Sequence, residues 1–214
     1  MATLKGGYQL KDGTRVPGVT TILGRFKEAG GLIHWAWQLG KEGKDYREVR
    51  DEAASAGTMA HEAVEAFIRG LPVKFEGPEE TVAKARKSFE AFHEWADRSQ
   101  LRADKTELPL VSERYRFGGT FDAILVGGKR AMGDWKTSNS IYPEYLCQVA
   151  AYGILWEENF PDEPITGGYD LIRFDKTYGD FTHKHWDELE SAKRAFLLMR
   201  ELYELDKELK ARAK

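Results

Sequence analysis

A chain of 214 residues, 42% hydrophobic and 31% charged, can bury a sizeable core and is too rich in apolar residues to be disordered. Its single cysteine, Cys147, excludes an intrachain disulfide and a four-cysteine zinc or iron–sulfur site, so any metal would need oxygen and imidazole ligands. A formal net charge of −3 excludes a whole-surface binder of polyanions, and contact with nucleic acid would have to be local.

Taken in order, residues 7–23 (GYQLKDGTRVPGVTTIL) combine a Lys-Asp-Gly-Thr turn signal with a β-branched run and predict a short hairpin or extended arm. The N-terminal stretch 1–18 (MATLKGGYQLKDGTRVPG) has no apolar core for a leader, and no window reaches the apolar length of a membrane span, which points to the cytoplasm and no membrane partner. Residues 30–40 carry Leu32, Ile33, Trp35, Ala36 and Leu39 at helical spacing, and after a break near Gly43 residues 45–56 are again helical. His34, beside tryptophans, reads as a packing residue.

Residues 57–70 (GTMAHEAVEAFIRG) predict a further core-facing helix with Met59, Ala60, Ala63, Val64, Phe67 and Ile68 as its stripe. His61 and Glu65, four apart, share one side at the margin of that stripe. They read either as an exposed pair or as a metal ligand with a carboxylate one turn away. Residues 79–100 form a long amphipathic helix on which His93 reads as a surface residue. Strands are predicted over 108–117, 120–126 and 130–136, a helix over 142–159, strands over 165–175 and 178–183, and a closing charged helix over 187–213. His183 and His185, two apart in a strand, give only a weak zinc signal. Basic groups such as Lys41/Lys44/Arg47/Arg50, Lys84/Arg86/Lys87 and Arg114/Arg116 are interleaved with acids and read as solvated faces.

The order strand–strand–strand–helix–strand implies an α/β or α+β fold, with a mixed central sheet flanked by helices. Its chemistry gathers in residues 118–152. Period-2 alternation puts Asp134 and Lys136 on one face of a strand and Trp135 on the other. A three-residue turn at Gly127-Gly128-Lys129 would set Asp122 directly opposite Asp134, whereas a two-residue Gly-Gly turn would shift the register by one and separate them. Two carboxylates roughly 5 Å apart repel unless a cation or shared proton lies between them. Mg²⁺ or Mn²⁺, with an imidazole and the Trp135 main-chain carbonyl, would resolve this, and Lys136 would help orient water at a phosphodiester. Gln148 and Tyr152, one turn apart on the following helix, could reach toward a phosphate or base.

Together Gly57-Thr58…His61…Glu65, Gly119-Thr120-Phe121-Asp122, Asp134-Trp135-Lys136-Thr137 and Gln148…Tyr152 resemble the RecB-type branch of the PD-(D/E)XK nuclease superfamily. Pro17-Gly18-Val19-Thr20-Thr21-Ile22-Leu23 followed by Trp35 is similar to the lead-in of phage exonucleases of this branch and of the mitochondrial genome maintenance exonuclease. The resemblance implies a restriction-endonuclease-like αβββαβ core in one nuclease domain: residues 1–56 as N-terminal arm and helical elaboration, 57–185 as catalytic core, 186–214 as C-terminal helix. It implies a Mg²⁺- or Mn²⁺-dependent DNA exonuclease that acts on ends and single strands, in recombination, repair or replication, in a bacterial or phage-infected cytosol. Recombination or replication proteins would be possible partners. The implied ligands are His61, Asp122, Asp134 and the Trp135 carbonyl, with Lys136 catalytic. Glu65, Thr137, Gln148, Tyr152, Arg114 and Arg116 would support the site or the DNA. Several relatives carry an iron–sulfur cluster, which one cysteine forbids here. The alternatives are a structure- or site-specific endonuclease and a non-catalytic DNA-end-binding accessory protein.

Overall fold

The computed structural model describes residues 7–213. Residues 1–6, which belong to the stretch read above as lacking a leader core, and residue 214 of the closing segment lie outside them. The fold is mixed α+β, with helices on both sides of a five-stranded sheet. In chain order the elements are β1 (Tyr8–Gln9), β2 (Arg15–Val16), α1 (Val19–Phe26), α2 (Gly30–Lys41), α3 (Tyr46–Ile68), α4 (Glu79–Ser99), β3 (Ala103–Ser112), β4 (Phe117–Val126), β5 (Arg130–Lys136), α5 (Pro143–Asn159), β6 (Tyr169–Phe174), β7 (Phe181–Trp186) and α6 (Glu190–Arg212). The sheet order is β3-β4-β5-β6-β7; β5 and β6 run parallel, joined by the α5 crossover, and the other neighbours are antiparallel. No helix among the described residues is long and apolar enough to cross a membrane.

Two apolar layers hold the sheet. Ile124, Met132 and Leu171 pack with Val149, Leu155 and Trp156 of α5 and Phe196 of α6. Ala123, Trp135 and Phe174 pack with Val64 of α3 and Phe92 and Trp95 of α4. Most of what positions the site follows from these two layers, because strand residues of alternating parity are drawn to opposite helices.

Four sequence expectations needed correction. The β-branched run after Gly18 is helical, as α1, since Val19, Ile22 and Leu23 fall at i, i+3 and i+4 and bury together; packing overrides strand propensity. Residues 45–56 and 57–70 form one unbroken helix, capped by the Asp45 side chain, which accepts from the Arg47 N–H at 2.8 Å. Gly57 sits inside it because Thr137 Oγ1 approaches to 2.8 Å from where a Cβ would stand. The strand predicted over 108–117 instead starts at Ala103 and ends at Ser112, and residues 113–116 turn, fastened by Glu158 of α5, which accepts from the Glu113 and Arg114 N–H groups. The strand expected over 165–175 is shorter, Tyr169–Phe174, and the one expected over 178–183 is shifted three residues toward the C-terminus, to Phe181–Trp186.

The β1–β2 hairpin lies across β4: Gly118 N–H donates to the Pro17 carbonyl at 3.0 Å, and the Tyr8 hydroxyl lies 3.0 Å from Thr120 Oγ1. A Cβ on Gly118 would come within 2.5 Å of the first atoms of the Tyr8 side chain. Gly118→Ala should therefore lower stability by about 1–3 kcal/mol. The double variant Gly118→Ala/Tyr8→Ala should lose less than the sum of the two single changes in denaturant unfolding; strict additivity would mean the two residues do not touch.

Candidate active site

The β4–β5 register runs Val126↔Arg130, Leu125↔Ala131, Ile124↔Met132 and Ala123↔Gly133, around a loop of three residues in which Gly128 has φ +83°. One step further along that register Asp122 faces Asp134. Asp122 is buried; its Oδ2 accepts from the Trp135 N–H at 2.6 Å and its Oδ1 has no hydrogen-bond partner. Asp134, 0% exposed, is ion-paired through Oδ2 with the Lys136 ammonium, and its Oδ1 has no partner. The Trp135 ring points away into the α3–α4 layer.

Helix α3 brings in His61. Its Nδ1 is buried without a hydrogen-bond partner, 3.9 Å from Asp122 Oδ1. That is too long for a hydrogen bond but suits two ligands of one cation, which stand roughly 3–4.2 Å apart when each lies about 2.1 Å from the ion. Burial drives the His61 pKa down to about 3, with the Lys136 charge adding to the effect, so the ring is neutral at ordinary pH and has a lone pair to offer.

A fourth group was not singled out from the sequence. Glu107 of β3 stands opposite Asp122 in the β3–β4 register, beside an irregularity between Ala103 and Thr106, and adopts φ +48°, a left-handed conformation rarely taken by a residue with a side chain. His61, Glu107 and Asp122 each offer a ligand atom, and those atoms lie within 4.8 Å of one another. Glu107 was hidden because the strand was read as starting at 108; with the strand begun at 103, its place opposite Asp122 could have been counted.

The acids share one electrostatic problem. Burial raises Asp134 to about 7, with Asp122 adding and Lys136 opposing. Burial also raises Asp122, against the Lys136 charge and the Trp135 N–H, and Glu107 goes to about 8 through burial and the charges of Asp122 and Glu65. Partnerless oxygens, a neutral imidazole and mutually repelling carboxylates form a donor set that fits a hard divalent cation.

Above this set opens a cleft of about 410 Å³. Its wall from α3 is small-sided, Ala53, Ala54, Gly57 and Thr58; the others present Lys136, Thr137, Ser138, Tyr145, Gln148 and, from the β6–β7 turn, Lys176. Two lysines and no carboxylate line it. Gln148 donates to the Tyr152 hydroxyl at 2.8 Å, both side chains buried, and Tyr152 lies close enough to Asp134 and Asp122 for their charges to raise its pKa well above the usual value, after burial itself. Thr137 reaches the cleft and packs on Gly57. Glu65 pairs with Arg69 at 2.7 Å and touches the cluster through its charge on Glu107. Arg114 and Arg116 sit in the β3–β4 turn; Arg114 lines a separate cavity between α5 and α6, and neither reaches the cleft. His183 and His185 both engage Asp170 Oδ1, at 2.7 and 2.9 Å, away from it.

No family model matches the sequence, and no curated protein does. Solved structures resemble it. An exonuclease candidate from Eubacterium rectale aligns with a TM-score of 0.49 and 10% identity over 67% of this chain and 64% of its own, so the chain spans less than two thirds of that protein. The alkaline exonuclease LHK-Exo from Laribacter hongkongensis aligns at 16% identity with a TM-score of 0.34, over 58% of this chain and 70% of its own. Its complex with dAMP gives 16% and 0.37, over 73% and 85%. These neighbours are exonucleases; at such identities and scores the activity of this chain rests on its own residues.

Neutral Glu107 stabilises the metal-free fold fully below its ordinary value of 4.5, and that stability is lost as pH rises through about 8. Glu107→Gln should leave the Tm nearly unchanged near pH 4.5 and raise it by several degrees at pH 8, at roughly 2–4 °C per kcal/mol for a chain of this size. Saturating Mn²⁺ at pH 8 should reverse the order of the two proteins. Equal gains at both pH values would show that Glu107 carries no buried charge.

Proposed function

We propose that this chain is a divalent-metal-dependent DNA nuclease of the RecB-type PD-(D/E)XK branch, hydrolysing phosphodiester bonds from DNA ends and favouring single strands. The observation that carries the reading is the meeting of His61, Glu107, Asp122 and the Asp134–Lys136 pair, with partnerless ligand atoms on His61, Asp122 and Asp134, beneath a cleft lined by lysines and, among the described residues, free of carboxylates. In a protein of net charge −3, a cleft walled by two lysines and without acids fits an anionic polymer bound locally.

In this reading His61, Glu107, Asp122, Asp134 and the Trp135 carbonyl hold Mg²⁺ or Mn²⁺. Bound there, the cation supplies a Lewis acid for a phosphate oxygen and lowers the pKa of water. Lys136, fixed by Asp134, places an ammonium at the same phosphate to meet the negative charge that develops at phosphorus and to hold the attacking water. The Trp135 N–H holds Asp122 so that its Oδ1 faces His61. The buried Gln148–Tyr152 pair stiffens the α5 side of the site, and Thr137 closes it against α3. End-directed digestion of this kind serves recombination, repair or replication.

End-labelled single-stranded, duplex and circular DNA incubated with Mg²⁺, Mn²⁺ or EDTA tests it. Wild type should degrade linear strands only with metal, and Asp134→Ala and Lys136→Ala should each lose at least about 100-fold in rate. Equal digestion by the variants, or none by wild type in either metal, contradicts the nuclease assignment; cleavage of closed circles contradicts an end-directed one.

A further inference from the structure

Just past Lys136 the chain makes a short loop and enters α5 through Tyr142-Pro143. Pro143 occupies the first helical position, where its fixed φ suits the helix, and it holds the preceding Tyr142 in an extended conformation, φ −101° and ψ 151°. The Tyr145 N–H donates to the Tyr142 carbonyl at 3.0 Å. Both rings therefore ride on a backbone set before any ligand arrives. Their centroids are 5.5 Å apart with planes at 82°, and they continue a line out of the site: the Lys136 Nζ lies 5.0 Å from the Tyr145 centroid, and the Lys27 Nζ 5.7 Å from that of Tyr142. Lys27 is itself held by Glu144 at 2.8 Å. Tyr145 lines the cleft, and Tyr142, in edge contact with its ring, is 40% exposed to solvent. Across the cleft Lys176 donates to the Ala53 carbonyl at 3.1 Å, which places a second ammonium on the wall facing the rings.

We propose that Tyr142 and Tyr145 are a stacking step for the unpaired bases of a single DNA strand, whose phosphates run past Lys136 and Lys176. The chemistry is that of single-strand grooves: aromatic faces take bases of any sequence, cations follow the backbone, and a paired base in a duplex has no free face to offer. This deepens the nuclease reading and rests on it for the direction of the strand into the site. It makes the preference for single strands a property of two named rings at the start of α5.

Fluorescence anisotropy in EDTA, where no cleavage occurs, tests the stacking step separately from catalysis. The probes are a labelled oligothymidylate and a strand of equal length whose nucleotides lack bases. Wild type should bind the oligothymidylate more tightly than the abasic strand. Tyr142→Ala should weaken the oligothymidylate about tenfold and leave the abasic strand unchanged, and Tyr142→Phe should bind both as wild type does. An equal loss on both strands, or no loss on oligothymidylate, overturns the proposal. Lys176→Ala should weaken both strands alike and flatten the salt dependence; an effect confined to the base-bearing strand would overturn the phosphate role. Base-dependent binding by a protein that fails to cut end-labelled DNA with metal would refute the nuclease reading while leaving the stacking step in place.

Discussion

Two carboxylates buried within a sheet, with a third half-buried beside them on its edge strand, are the constraint on which the rest of the molecule depends. Asp122 and Asp134 are almost wholly removed from water and Glu107 faces them from the next strand, so their charges repel in a medium that screens poorly. Lys136 compensates one of them and the Trp135 N–H supports another. His61 does not help as a cation, because burial keeps it neutral. What remains is a shell of lone pairs turned inward with nothing to receive them, an arrangement a folded chain would shed if packing were its only purpose.

Everything around that shell keeps it assembled. The three-residue β4–β5 loop sets the register that brings Asp122 across from Asp134, and Glu107, in a left-handed conformation beside the β3 irregularity, comes within ligand distance of Asp122 and His61. Helix α3 must run without a break to carry His61 over the sheet, and Gly57 lets it approach closely enough for Thr137 to pack against it. The apolar cost is met elsewhere: Phe92, Trp95, Trp135 and Phe174 on one side and Val149, Leu155, Trp156 and Phe196 on the other bury enough surface to hold a strained, charged centre in place.

Much of this was legible in the sequence, and for physical reasons. Period-2 alternation is a strict rule, so Asp134, Trp135 and Lys136 could be assigned to faces and Asp122 could be placed once the loop length was known. The mixed sheet flanked by helices followed from the order of helical and strand patterns along the chain. Less visible was anything that depends on a single irregular residue. Glu107 has a backbone conformation no propensity scale favours, and a glycine inside α3 reads as a break until its neighbour Thr137 is seen. Helix α1 reads as an extended run because its four β-branched residues, Val19 to Ile22, outweigh the i, i+3, i+4 spacing of Val19, Ile22 and Leu23. Arg114 and Arg116 were expected to support the site or the DNA, but the turn that ends β3 puts Arg114 at a cavity between α5 and α6, and neither lines the cleft.

Titration calorimetry of the metal-free protein with Mn²⁺ near pH 7.5, repeated in buffers of different ionisation enthalpy, reads the charge cluster directly. A divalent-metal site made of raised-pKa acids should bind the ion with release of protons, and Asp122→Asn should abolish or strongly weaken that binding while the protein stays folded. Binding without proton release, binding untouched by Asp122→Asn, or no binding at all would contradict a metal centre built from these carboxylates.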